Sequence, residues 1–171
     1  MNFKGCLCAG LMLVSGVVWA NEPELKRLGV SSDWVAYQVD ENGSKVCYIA
    51  ARPIKSEGKY KKRGDVFLTV MHRPADNVYD EVSFAAGYPY NVTEKPTIAV
   101  DKNPAVSFFS RGENAWFKEK TTDEKLIAQM RKGNKAVVKG RSTRRTRTTD
   151  TISLKGFSKA YQMINEACHW K

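Results

Sequence analysis

Histidine is nearly missing from this chain: His72 and His169 are the only two in 171 residues. No spacing of His, Cys, Asp or Glu matches a tetrahedral zinc set, so no metal site is expected. There is no Gly-x-Ser-x-Gly elbow and no glycine-rich loop of the kind that cradles phosphates. Glu81 and Asp150 fall at or beside strands, but a hydrolytic carboxylate pair is defined by a separation that sequence does not carry. Without a signature for converging nucleophile, base and oxyanion donors, neither catalysis nor a cofactor is expected. Long hydrophobic runs are equally scarce. The one present, Cys6 to Trp19, is too short for a comfortable membrane span, and no transmembrane segment is expected after it. Internal repeats and low-complexity linkers are absent too, which leaves one domain.

What the amino terminus does contain is a leader. MNFKGCLCAGLMLVSGVVWA has a single charge at Lys4, then an apolar core, then Val18-Trp19-Ala20 with small residues where a signal peptidase cuts. Residues 1–20 are expected to be a signal peptide removed near Ala20, which makes the protein periplasmic or secreted. A lipid anchor on Cys6 or Cys8 is the weaker reading, because these cysteines come early and lack the small residues that precede a lipidated one. Two of the four cysteines leave with the leader. Cys47 and Cys168 remain, and two cysteines in an exported chain are expected to pair. Neither sits in a nucleophile motif, and His169 beside Cys168 in sequence does not supply nucleophile-and-base geometry.

Acidic residues are the other shortage: 18 against 28 Lys and Arg, for a net charge of +10. A basic exported domain is drawn to polyanions such as lipid phosphates, lipopolysaccharide and acidic glycans, although a modest positive charge also serves solubility alone.

After a polar lead over residues 21–32, the pattern is β. Trp34 alternates against Val35, Tyr37 and Val39, and Asn42-Gly43 is a strong hairpin turn. Lys45 to Ala51 returns with Cys47 and Ile49 on one face. A basic loop, RPIKSEGKYKKRG, covers residues 52–64. Val66–Met71 reads as a central strand, broken by Pro74, and further short strands fall at 78–86, 97–100, 105–109 and 115–117. Many short strands at this spacing give a mainly β domain over residues 33–171, an antiparallel sandwich or barrel-like fold. Two short helices complete it. Thr121 and Glu124 form a capping box ahead of a Leu126, Ile127, Met130 stripe ending at Gly133. Phe157, Ala160, Tyr161, Ile164 and Cys168 share one face of the last helix.

One stretch is unusually basic. From Arg131 to Arg147 there are eight basic residues and no acidic one. Ala136–Val138 leads in as a strand and Ile152 and Leu154 lead out, with Thr148 and Asp150 continuing that face into solvent, so the arginines belong to a hairpin tip and not to a disordered arm. Lys139, Arg141, Arg144, Arg145 and Arg147 are candidates for gripping phosphates or sulfates, since guanidinium suits bidentate oxyanion contact. Lys59, Lys61, Lys62 and Arg63 form a second basic cluster that joins the first only if the fold brings them together. The bland alternative is two solvated loops. Sequence-specific nucleic-acid recognition is not expected, for want of any recognised motif. Tyr88, Tyr90, Phe108, Phe109, Trp116 and Phe117 are read as core before groove, and Trp34 more firmly so. Asn91-Val92-Thr93 fits a glycosylation acceptor, a short pattern that carries little weight by itself.

Taken in order, KVCYIA (45–50), HRPADNVYDEVSFAAGYPY (72–90), NAWF (114–117), MRKG (130–133), GRSTRRTRTTDTISLKGFSKA (140–160) and the closing Cys168 resemble the invasion-associated locus B family. The resemblance runs from about Trp34 to Cys168. It implies a β-rich periplasmic or envelope protein of Gram-negative bacteria, with a name drawn from host-cell invasion and thus from virulence, and with no activity or agreed ligand. One departure stands out: the family's hairpin often reads Ser-Arg-Gly-Thr, and Arg145 replaces that glycine, which makes the tip more basic and less tolerant of a positive φ. The expected function is a non-catalytic envelope or virulence-associated protein that binds an envelope or host macromolecule, polyanionic in character, through the basic hairpin. The alternative is a structural or stress-protective periplasmic protein with no polyanion ligand.

Overall fold

The structure is a computed structural model and describes residues 24–170. The expected signal peptide, with Cys6 and Cys8, lies outside the described residues. Two antiparallel sheets and two helices enclose a single core. The larger sheet has seven strands in the order β1-β2-β3-β5-β6-β10-β9. These are β1 (Leu25–Ser31), β2 (Trp34–Glu41), β3 (Ser44–Ala51), β5 (Phe67–Arg73), β6 (Val78–Ala85), β9 (Phe109–Arg111) and β10 (Asn114–Trp116). The smaller has five, in the order β4-β12-β11-β7-β8: β4 (Lys55–Gly58), β7 (Thr97–Val100), β8 (Val106–Ser107), β11 (Lys135–Arg141) and β12 (Arg147–Ser153). Both sheets are open, so the sandwich side of the expectation holds and the barrel side does not.

The first hairpin forms as its residues dictate. Asn42 and Gly43 both take positive φ, 54° and 78°, the conformation that matches the twist of paired strands, and the Gly43 N–H donates to Asp40 Oδ1 at 2.7 Å. β5 lies fourth of the seven strands, the central position. Its alternation puts Leu68, Val70 and His72 inward. The polar lead differs from expectation. Residues 25–31 pair with β2, Val30 opposite Val35 and Ser31 opposite Trp34, with a bulge between Arg27 and Gly29. An edge strand is held by main-chain bonds to one neighbour, so it forms without clean side-chain alternation.

Helix α1 (Lys120–Met130) buries Leu126, Ile127 and Met130 as the stripe predicts, yet the capping box does not form. The helix starts two residues earlier, after Glu119, with no side-chain cap. Its position is set by Asp123, which is buried and accepts the Val82 N–H of β6 at 2.8 Å. Glu124 faces Lys120 at 4.0 Å. Helix α2 (Phe157–Ala167) lies across β1, β2, β3 and β5 and buries Phe157, Ala160, Tyr161 and Ile164. Cys168 caps it and is bonded to Cys47, S–S 2.04 Å, closing a separation of 121 residues. Loop-closure entropy makes such a bond worth about 4–5 kcal/mol. Trp34, fully buried, meets Phe157 edge-on at 5.0 Å and donates from Nε1 to the Ser153 carbonyl at 3.0 Å.

A buried polar knot ties the chain end to the large sheet. The Asp80 N–H donates to His72 Nδ1 at 3.0 Å, so Nε2 carries the proton and donates to Asn165 Oδ1 at 2.8 Å. Tyr161 and Trp170 both donate to the Asp80 carboxylate, at 2.5 and 3.1 Å. Burial lowers the His72 pKa against the opposing pull of Asn165 and Asp80, which keeps the ring neutral.

Candidate functional site: a basic cleft

Two segments distant in sequence meet at one end of the molecule. The β11–β12 hairpin closes through a Ser142 N–H bond to the Thr146 carbonyl (2.9 Å) and an Arg145 N–H bond to the Ser142 carbonyl (2.8 Å). Arg145 adopts φ 64° here, in the left-handed region that a glycine would reach freely;. The hairpin is stitched to residues 89–91: Thr143 N–H to the Pro89 carbonyl at 3.0 Å, Asn91 N–H to the Arg141 carbonyl at 2.8 Å, and a bridge between Tyr90 and Ser142. The 59–64 loop reaches the same segment from the other side, where the Gly64 N–H donates to the Gly87 carbonyl at 2.9 Å. Gly87 has φ +68°, and a Cβ there would come within 2.5 Å of the Gly64 oxygen, so only glycine admits this approach;.

Arg63 anchors the loop. Its NH1 and NH2 donate to the two oxygens of Asp150, each at 2.7 Å, and its Nε donates to the Ala86 carbonyl at 2.6 Å. The guanidinium lies over the rings of Tyr88 and Tyr60, at 5.0 and 5.5 Å. Side-chain exposure is 5 % for Arg63 and 1 % for Asp150. Burial works against the Arg63 charge, but hydrogen bonding and attraction to Asp150 outweigh it and hold the pKa above its ordinary value. Ser56 donates a further bond to Asp150 at 2.7 Å. This corrects two expectations. Thr148 and Asp150 face inward and are buried, not solvated, because each has a polar partner there: Tyr88 for the Thr148 hydroxyl at 2.6 Å and Arg63 for the carboxylate. Arg63 itself is a strut, and its charge is engaged inside the protein.

The result is a cleft of ≈ 580 Å³ lined by Lys59, Lys61 and Lys62 on the loop side and by Arg144, Thr143 and Thr146 on the hairpin side, with Tyr60, Tyr88 and Glu113. Lys59, Lys61, Lys62 and Arg144 are exposed and have no ion-pair partner among the described residues. The two basic clusters are therefore brought together, though not whole. Arg145 is exposed at the tip without lining the cleft. Lys139 is exposed on β11, outside it. Arg141 and Arg147 share Glu94, at 2.9 and 3.5 Å, and their hydrogen bonds hold that carboxyl below its usual range. Burial raises the Tyr88 and Tyr90 phenols, Tyr90 far above its ordinary value, so both rings are neutral walls. Of the aromatic candidates, Tyr90, Phe108 and Phe117 are buried in the core, Tyr88 and Trp116 are half-buried, and Phe109 is exposed. Among the described residues no group of three or more His, Cys, Asp or Glu is placed to hold a metal ion. No helix of the described residues is long and apolar enough to cross a membrane.

Sequence reasoning missed Tyr60 and the Arg63–Asp150 pair. The only available signal was an acid on a strand otherwise facing inward through Ile152 and Leu154.

Fold and cleft define a small, disulfide-linked β protein of two open sheets with a basic cleft at one end. The chain belongs to the invasion associated locus B (IalB) family, whose model matches residues 34–165. No curated protein and no solved structure matches it. Membership and the disulfide together mark an envelope-type protein matured in an oxidising compartment.

Proposed function

We propose that this protein is a non-catalytic envelope component that binds an acidic macromolecule, such as lipopolysaccharide or an acidic glycan, in the cleft between the 59–63 loop and the 142–147 hairpin. The observation that carries the reading is the convergence of Lys59, Lys61, Lys62 and Arg144 on one hollow while nearby cations are already matched: Arg63 by Asp150, and Arg141 and Arg147 by Glu94. Cations held close without carboxylate partners repel one another, a cost that an anionic ligand relieves. Glu113 is the one carboxylate in the lining and favours ligands whose charges stay on the lysine side. Export after removal of residues 1–20 belongs to the same reading.

The test is binding of the oxidised protein to lipopolysaccharide, heparin and DNA across a salt series. Affinity is expected to fall steeply with salt, by counterion release. A variant with Lys59, Lys61 and Lys62 changed to Ser is expected to bind weakly and with a shallower slope. Changing Arg141 and Arg147 is expected to matter far less, since Glu94 already matches them. Binding that is weak and identical in all three proteins would refute the cleft as a polyanion site and leave a structural envelope role.

A further inference from the structure

The seven-stranded sheet turns one face to the core and the other outward, and the outward face carries a second hollow of ≈ 600 Å³. Tyr37 and Tyr48, partners across β2 and β3, stack there with ring centroids 5.2 Å apart and planes 26° apart. Phe67, Thr69, Ser83 and Asn114 continue the lining. This hollow adjoins the basic cleft through neighbouring residues. Glu113 lines the cleft and Asn114 the hollow; Gly87 lines the cleft and Ala85 the hollow. Between them the Ala86 N–H donates to the Glu113 carbonyl at 2.9 Å, and Ala85 is the cross-strand partner of both Asn114 and Phe67.

Electrostatic character changes at this junction. The cleft holds unmatched lysines. In the hollow the one guanidinium, Arg52, is held by Asp65 at 2.9 Å and lies over the Phe67 ring at 4.3 Å. Asp33 lines the far part of the hollow and Glu113 stands at the junction, so a uniformly charged polymer would be repelled on passing from one to the other. A neutral polyhydroxylated chain would not. Its C–H faces find the tyrosine rings, and its hydroxyls find the phenols, the Thr69 and Ser83 hydroxyls and the Asn114 amide.

Resting on the polyanion reading of the cleft, we infer that the two hollows form one track for an oligosaccharide whose anionic groups cluster at one end and whose continuation is neutral. The anionic end sits against Lys59, Lys61, Lys62 and Arg144, and the neutral sugars lie along Tyr37 and Tyr48. Binding at the cleft positions the chain, and the sheet face adds to it as a tethered second contact.

Calorimetry with three probes tests this: inorganic polyphosphate, a delipidated phosphorylated core oligosaccharide, and the same core carrying its neutral polysaccharide chain. The chain-bearing core is expected to bind roughly tenfold more tightly than the bare core. Tyr37→Ser with Tyr48→Ser is expected to abolish that increment while leaving polyphosphate and bare-core binding unchanged. Tyr37→Phe with Tyr48→Phe, which keeps the stacked rings, retains most of the increment and controls for folding. Equal affinity for the two cores overturns the track but leaves the cleft standing, as does an equal loss for every probe in the serine variant. Self-association that depends on the tyrosines also overturns it, because a second copy of the chain would then be the occupant. Salt-independent or absent binding of all three probes overturns the cleft as well.

Discussion

Replacing Arg63 with Ala takes the partner from a carboxylate that water hardly reaches. The guanidinium makes both of its 2.7 Å bonds to Asp150, and that side chain is 1 % exposed. Removing one member of a buried pair costs about 3–5 kcal/mol, because the remaining charge keeps its desolvation penalty and loses its compensation. Ser56 still donates to Asp150, which argues for the lower half of that range. The bond to the Ala86 carbonyl and the contact with two tyrosine rings are lost as well, which pushes the other way. For a domain of this size each kcal/mol moves Tm by about 2–4 °C, so a drop of roughly 6–20 °C is expected in thermal unfolding followed by circular dichroism at pH 7. Arg63→Met combined with Asp150→Asn removes both charges and is expected to recover a large part of the loss, the behaviour of a pair whose members are costly singly and nearly neutral together. Two results would refute the reasoning. One is a loss below about 1 kcal/mol for Arg63→Ala, the magnitude of a solvated surface pair. The other is a double variant no better than the single one, which would mean that the charges were not the source of the cost.

Two other positions give sharp expectations. Arg145→Gly relieves the φ of 64° at the price of a more flexible unfolded chain, for a net gain of about 0.5–1 kcal/mol in urea unfolding; a loss would show that the tip is unstrained. Asp123 is pushed up to about 7 by burial, against the opposing Val82 N–H bond. Its raised folded-state pKa means that the stability it contributes is full below the unfolded value near 3.8 and is lost as pH rises through about 7. Asp123→Asn cannot ionise, so its stability relative to the parent is expected to increase between pH 6 and pH 8, measured by parallel urea titrations. A constant difference across that window would mean that the carboxyl is ionised throughout.

Much of this architecture is legible in the residues. The Asn42-Gly43 turn, the central run at 66–71 and the Phe157–Cys168 stripe are local patterns with local causes, and each forms as read. The disulfide follows from the expectation that Cys6 and Cys8 leave with a signal peptide, so that Cys47 and Cys168 are left to pair, and those two are bonded. The misreadings share a different cause. Alternation along β12 separates two faces, but it does not say that Asp150 belongs inside, because its partner lies 87 residues away in the chain. Arg63 reads as one more cation in a basic loop for the same reason. Thr121 and Glu124 have the spacing of a capping box, but the buried bond from Val82 to Asp123 decides where α1 begins. β1 went unread because an edge strand can be held by main-chain pairing alone. For the cleft, sequence supplies every cation and leaves open which of them meet: Lys59, Lys61, Lys62 and Arg144 do, while Arg141 and Arg147 turn to Glu94.

The bond between Cys47 and Cys168 also has a meaning in time. A chain that emerges residue by residue presents Cys47 early, in its second hairpin strand, and its partner arrives only 121 residues later. During that interval Cys47 is a solitary thiol. No third cysteine stands between the two, so an oxidant acting early finds nothing within the domain for it to join wrongly. Its competitors are Cys6 and Cys8 near the amino terminus and the thiols of other molecules. Fidelity of oxidation here rests on scarcity: the pairing is right because, by the time Cys168 arrives with α2, it is the one choice left inside the domain.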